Sequence, residues 1–397
     1  MTITQLLSNS SSQSTPDLSE SGSDEKASLR EITSPRGISM EALRLIELTE
    51  RASAVMMSAE SDYVLQTDPV VSVFRTFGAL NRVPVRASIS VVNYDEFSNS
   101  VARHVNESAS QMLLVPWKAA MNEGATGSAG FNPFDNLFKT TVTTEHSAEL
   151  VNSHYIRKVF AGTKADVCLI IDRGLSTSGS PGNQHIFLPF FGGPDDRLAL
   201  SLVVQLCAGG SGVTATVVRI TKTTRIEPAD TIEDPAHNVR VFRTWGELKC
   251  LSQSPLQTVF PDTVYGHQST QTRLASDTAD DLVWGRYATS KITDATIREA
   301  VGRITFSEQR SDNPLHFVQT FAATLRPQSR SRRLLIVVGR SRRMAAESHT
   351  TELKTLLAEN HTSIGGEATK TLGQVGTAII SGGVGEGVLV VQARFTT

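Results

Sequence analysis

The run Asp166-Val167-Cys168-Leu169-Ile170-Ile171-Asp172-Arg173-Gly174 is followed, across a polar turn, by His185-Ile186-Phe187-Leu188-Pro189-Phe190-Phe191. That second run leads into Gly192-Gly193-Pro194-Asp195-Asp196-Arg197. Leu198 to Cys207 then reads as a helix, and Val213 to Arg219 as a further strand. Short aliphatic runs bounded by Gly, Pro and Asp read as strands buried on both faces. The order strand, turn, helix, strand opens an α/β unit.

The same alternation extends in both directions. Towards the N-terminus, Leu43 to Leu48 reads as a strand, Thr49 to Met57 as an edge segment or short helix, and Asp68 to Leu80 as a helix. Val83 to Val92 is a strand, Tyr94 to Ala109 a helix, Gln111 to Trp117 a strand and Ser147 to Phe160 a helix. Towards the C-terminus, strands are expected at Arg303–Phe306, Leu334–Val338 and Gly387–Gln392. Helices are expected at Asp280–Ala288, Thr293–Val301, Pro314–Leu325 and Lys370–Ser381. Strands alternating with helices predict two α/β halves, each a doubly wound, mainly parallel sheet covered on both faces. The divisions are a polar segment over 1–40, a first half over 41–175, a Gly/Ser/Pro linker over 176–184 and a second half over 185–397. Ser8 to Gly37 has almost no large apolar residues and is expected to be disordered. Ala119–Asn136, 222–278 and Ala345–Thr369 read as loops or insertions.

Composition narrows the function classes. The 397 residues carry a net charge of −2 with 20% charged residues, so no global field points to nucleic acid or anionic lipid. Cys168, Cys207 and Cys250 are an odd count and show no CxxC or Cys/His spacing, which argues against a disulfide framework and a zinc site. No apolar run approaches the roughly 20 residues that span a bilayer, and no signal-peptide core is visible. The chain reads as soluble and intracellular. There is no Ser-His-Asp order with a nucleophile elbow, no Walker A sequence and no HExxH helix, so no catalytic constellation is expected.

The wording of Ile171-Asp172-Arg173-Gly174 and Phe191-Gly192-Gly193-Pro194-Asp195-Asp196-Arg197 resembles the cytosolic tail of monovalent cation/proton antiporters, the family of plant cation/H+ exchangers and fungal K+/H+ antiporters. Leu43 to Met57 and Leu113-Leu114-Val115-Pro116-Trp117 resemble the same tail. The resemblance implies two halves, each similar to a universal stress protein domain. It also implies a regulatory and structural cytosolic region of a fungal-type K+/H+ antiporter. The implied partners are a transmembrane antiporter domain and a second copy in a homodimer; neither nucleic acid nor a cofactor is expected. A free-standing nucleotide-binding universal stress protein is the alternative. The first half lacks the strand that precedes the Gly-Gly-Pro turn of the second half, so the chain is expected to start inside a domain and to continue upstream as a membrane-embedded antiporter.

Two motifs compete as sites. Gly192-Gly193-Pro194-Asp195-Asp196 is read as turn chemistry, with Asp195 or Asp196 capping the following helix. Gly339-Arg340-Ser341-Arg342-Arg343 at a strand end, with Gly373 beyond, is the weak anion-site candidate. Nucleotide-binding universal stress proteins use Gly-x2-Gly-x9-Gly-(Ser/Thr) there. Gly339 fits the first glycine, but Arg342 stands at the second, which predicts weak or no nucleotide binding. The arginines of 326–343 read otherwise as a solvated rim first, or as an acidic-partner site or a patch in weak contact with inner-leaflet headgroups, and His349 as a solvated loop residue. Asp172-Arg173 is expected at the contact between halves. No metal ligands are expected.

Overall fold

The aliphatic runs become strands as their composition requires, and capping side chains set several helix ends. In the computed structural model, residues 38–48, 61–117, 145–175, 184–209, 212–223, 270–288, 292–325, 332–340, 349–362 and 364–394 are described. The first half comprises β1 (Met40–Glu47), α1 (Ser61–Thr67), α2 (Pro69–Asn81), β2 (Val85–Val92), α3 (Phe97–Glu107), β3 (Met112–Pro116), α4 (Glu145–Gly162) and β4 (Asp166–Asp172). The second comprises β5 (Gln184–Phe190), α5 (Pro194–Ala208), β6 (Thr214–Lys222), α6 (Thr270–Ala288), α7 (Ala295–Gly302) and β7 (Ile304–Ser311). It continues with α8 (Pro314–Leu325), β8 (Arg333–Gly339), α9 (Thr350–Glu359), α10 (Gly366–Ser381) and β9 (Gly387–Gln392). Helix α2 shows the local logic. Asp68 accepts from Val70 N at 2.8 Å and Val71 N at 3.0 Å, Pro69 fills the first turn, and Arg82 stops the helix at φ 55°.

The sheet runs β3-β4-β9-β8-β5-β6-β7, and β1-β2 forms a separate parallel pair. Every neighbouring pair is parallel except β4 and β9, which run antiparallel from Val167↔Gln392 to Asp172↔Gly387. The mainly parallel α/β expectation holds, but the expectation of a separate sheet for each half is corrected. Both halves end in a strand that is apolar on both faces, and those two last strands find each other.

Alternation along the strands divides the core into two layers. Val167, Leu169 and Ile171 of β4 join Leu334, Ile336 and Val338 of β8 beneath α4, α8, α9 and α10. Cys168 of β4, Leu335 and Val337 of β8 and Leu389 of β9 face the opposite layer, under α5, α6 and α7. A sheet covered on both faces needs the continuous aliphatic runs that the sequence shows.

Three elements extend or correct the sequence reading. Helix α9 lies inside the expected 345–369 insertion, where Leu353 and Leu356 are buried at helical spacing. Helix α6 starts at Thr270, inside the expected 222–278 connection, and α1 precedes the expected helix. The expectations for Ser8–Gly37, Thr49–Met57, Ala119–Asn136 and the 176–183 linker fall outside the described residues.

The position of the core gives a direct test. Leu169 is fully buried, whereas Leu114 on β3 is 37% exposed. Leu169→Ala is expected to lower the unfolding free energy by about 2–5 kcal/mol. Leu114→Ala should change it by no more than about 0.5 kcal/mol. Urea denaturation of both variants checks this, and equal losses would contradict the layering.

Candidate functional site

In an open α/β sheet, the crevice that ligands use lies at the carboxyl ends of the two strands where the winding reverses. Here those strands are β5 and β8, which lie side by side while their connections leave in opposite directions. The turn after β5 and the residues after β8 therefore decide what the crevice can do.

Gly192 and Gly193 adopt φ 100° and 93°, a region that L side chains rarely occupy. This folds the chain back so that Asp196 Oδ2 accepts from Phe191 N at 2.6 Å and Gly192 N at 2.9 Å. Asp195 Oδ1 instead accepts from Ala393 N at 2.8 Å, just past β9. Asp280, reaching in from α6, accepts from Gly193 N at 3.0 and 2.9 Å and pairs with Arg197 Nη1. The expected capping of α5 by Asp195 or Asp196 is thus corrected. The N-cap is Gly193, with no side-chain cap bond, and the two carboxylates fasten the turn to β5 and to the end of β9.

The electrostatics follow from burial. Asp195, Asp196 and Asp280 are all at most 3% exposed. Burial pushes the Asp196 carboxyl up to about 7. The Phe191 and Gly192 N–H groups oppose that rise, and the neighbouring Asp195 and Asp280 reinforce it. A carboxyl of this kind holds or releases a proton near neutrality.

Across the crevice, Gly339, Arg340 and Gly373 come together, while Ser341, Arg342 and Arg343 lie outside the described residues. A Cβ on Gly339 would overlap Asp196 Oδ1 and lie 2.8 Å from Asp196 N. The glycine therefore admits the protein's own carboxylate. Gly373, at φ 76°, breaks the helical path of α10, and a Cβ there would overlap the Arg340 carbonyl oxygen.

Arg340 is not on a solvated rim, as expected from sequence, but is 8% exposed. Its Nε donates to Thr371 O at 2.9 Å, Nη1 to Gln392 Oε1 at 2.5 Å and Nη2 to Lys370 O at 2.8 Å. The guanidinium lies 4.2 Å from the Phe160 ring centre, and Gln392 Nε2 donates to Phe160 O at 3.2 Å. Each of its three nitrogens thus has a protein acceptor.

The flanking groups are structural in character. Arg173 Nη2 donates to Ile380 O at 3.2 Å, which places it at the contact between halves. Asp172 lies opposite Gly387 across the same contact, and its Oδ1 accepts from Gly174 and Leu175 N in a local turn. His349 packs edge-on against Phe191 with its side chain largely covered, correcting the solvated-loop expectation. Glu352 of α9 accepts from Leu315 and His316 N and so caps α8 from a neighbouring helix. Burial pushes the Cys168 and Cys207 thiols up to about 12, so neither is a thiolate at neutral pH. Among the described residues, no group of three or more His, Cys, Asp or Glu is placed to hold a metal ion.

Sequence reasoning missed Asp280 and Gln392, which close the two sides of the site. Asp280 is one of an adjacent acidic pair whose other member, Asp281, turns outward to Arg219. Only the phase of α6 separates them, and the helix had to be traced from Thr270 to read it.

Asp196 gives the site a measurable pH signature. Its folded value of about 7 lies above the ordinary 3.8, so the folded state holds this proton more tightly than the unfolded state. Its contribution to stability is complete below the lower value and declines as pH rises from about 3.8 to about 7. Asp196→Asn removes that decline, so the stability of the variant relative to the parent should rise across the window. Urea midpoints measured from pH 4.5 to 8 test this, and a pH-independent difference would contradict it.

Residues 40–175 match the family model of the plant cation/H+ antiporter domain. The chain is 26% identical over 237 residues to cation/H+ antiporter 17 of Arabidopsis thaliana, covering 55% of this chain and 26% of that protein. It is 26% identical over 205 residues to cation/H+ antiporter 18, covering 48% of this chain and 23% of that protein. The chain thus spans about a quarter of the length of the curated relatives it matches. Among solved structures, a universal stress protein from Archaeoglobus fulgidus aligns at a TM-score of 0.41 and 11% identity, over 90% of this chain and 87% of that one. The cytoplasmic domain of a prokaryotic cation chloride cotransporter aligns at 0.35 and 8%, over 90% and 95%. By sequence, residues 40–175 match the plant cation/H+ antiporter domain, and about half of the chain is similar to cation/H+ antiporters.

Proposed function

We propose that this chain is a cytosolic regulatory and assembly region of a monovalent cation/proton antiporter of the fungal K+/H+ type. The exchange of K+ for H+ is then carried out by a transmembrane domain with which it works. The carrying observation is the match of residues 40–175 to the plant cation/H+ antiporter domain, within a similarity to an antiporter that covers 55% of the chain. No helix among the described residues is long and apolar enough to cross a membrane, which suits a region outside the bilayer. In this reading the chain performs no catalytic step. It pairs with a second copy, contacts inner-leaflet headgroups weakly and biases the membrane domain between conformations of different free energy. Asp196, whose carboxyl burial pushes up to about 7 and which joins the turn after β5 to the strand end at Gly339, supplies a group through which cytosolic protons act on that bias.

The free-standing nucleotide-binding alternative has two described contacts of the crevice against it. Asp196 occupies the space beside Gly339, and each guanidinium nitrogen of Arg340 is committed to protein acceptors.

Deleting the coding region for residues 145–397 in the source organism tests the proposal. Membrane vesicles are given an imposed pH gradient, and its collapse on addition of K+ or Na+ is followed with a pH-sensitive dye. The proposal expects the K+-driven rate, or its dependence on cytosolic-side pH, to change several-fold. Rates and pH dependence identical to those of the undeleted strain would refute it.

A further inference from the structure

Helix α9 is ten residues long and buries Leu353 and Leu356. A helix this short is held by its contacts more than by its own ladder. Its ties to α10 through Gln374 and Asn360 are neutral. Gln374 Oε1 accepts from His349 N at 3.3 Å, Gln374 Nε2 donates to Thr350 Oγ1 at 3.1 Å, and Asn360 Nδ2 donates to Ser381 Oγ at 3.3 Å. Its ties to α8 carry charge and converge on one ring. His316 Nδ1 lies 3.1 Å from Glu352 Oε1, and His316 Nε2 lies 3.1 Å from Glu359 Oε2. The two glutamates are about two turns apart and so share one face of α9.

A neutral imidazole has one N–H and one lone pair, and here the lone pair would face a carboxylate. Both contacts are hydrogen bonds only when the ring is doubly protonated. His316 also sits in the first turn of α8, where the helix dipole disfavours a cation, so the two carboxylates must supply the opposing field. Burial lowers the His316 value, but the hydrogen bonds and charges of Glu352 and Glu359 outweigh it and move it above the ordinary 6.5. Burial raises the Glu352 value, and His349 and His316 more than offset that, so this carboxyl is ionised at neutral pH. His349 is the further ionisable member of the cluster, with Nδ1 3.7 Å from Glu352 Oε2. Lys222 of β6, Arg310 of β7 and Asp312 stand where those strands end beside the start of α8. From α10 and β5, the groups that meet α8 are Ala378, Ser381 and Phe187, which carry no charge.

We infer that His316 is a proton-operated latch on α9: as a cation it ties Glu352 and Glu359 to α8, and when the ring loses a proton that tie breaks and α9 loosens. The His316 side chain is 33% exposed, so it exchanges protons with solvent without any opening of the core. Because the folded-state value is raised, the latch contributes fully below the ordinary 6.5 and is lost as pH rises through the higher folded value. The start of α9 bears on the crevice, since His349 packs edge-on against Phe191, whose N–H donates to Asp196. Release of the latch therefore frees one support of the turn after β5. The inference rests on these contacts and stands independently of the antiporter reading.

Hydrogen exchange of the full chain, read by mass spectrometry from pH 6 to pH 8.5 and corrected for the intrinsic rate at each pH, measures the opening of α9. Opening of α9 relative to β8 should rise several-fold across this range in the parent. His316→Gln should abolish the rise. Glu359→Gln, at an exposed position that does not threaten the fold, should diminish it and lower the His316 titration midpoint read by NMR of carbon-labelled histidine. That second variant carries the test if His316→Gln does not fold. An α9 opening that is independent of pH in the parent overturns the inference. So does a rise that persists undiminished in Glu359→Gln, or a His316 midpoint that this substitution leaves unchanged.

Discussion

The antiparallel pairing of β4 with β9 is the constraint on which the remaining architecture depends. Parallel ladders organise each half, but only this pair makes their sheets continuous. It places Asp172 opposite Gly387 and Val167 opposite Gln392, so the end of the first half meets the end of the second. Both strands are apolar on both faces, and two such edges left apart would each expose a ladder of unpaired donors and acceptors. The buried polar groups are arranged around this seam. Gln392 links Arg340 to the Phe160 carbonyl, and Arg173 reaches Ile380 from the other half.

In the crevice between β5 and β8, the described polar groups bond to one another. Glycines stand where close backbone approach is needed, yet the group admitted is the protein's own Asp196. The guanidinium that could attract an anion is turned inward to three acceptors and an aromatic face. Removing an acceptor from such a buried cation costs more than a surface pair ever contributes. A proton-labile carboxyl remains in the middle of the arrangement, fastened to backbone on one side and abutting Gly339 on the other.

Much of this was legible in the residues. The runs at 166–171 and 185–191 announced buried strands because continuous aliphatic sequence has few other uses at that length. The parallel order of the strands was readable too, because strands alternate with helices along most of the chain. Three features were not legible. The seam between β4 and β9 depends on which apolar edges meet, and alternation along one strand carries no information about its partner. The inward turn of Arg340 depends on Thr371, Lys370 and Gln392, which lie far along the chain. Helix α9 was hidden because polar Glu352, Lys354 and Thr355 interrupt Leu353 and Leu356, so its short apolar stripe read as a loop.

The central claim is that the β4–β9 seam makes the second half and the end of the first one cooperative unit. Native-state hydrogen exchange in increasing denaturant measures this residue by residue. The account predicts that the β4 amides open with the same free energy as those of β9, β8 and β5, above the level of β1 and β2. Exchange of β4 together with β1 and β2, at a lower free energy than β9, would contradict it.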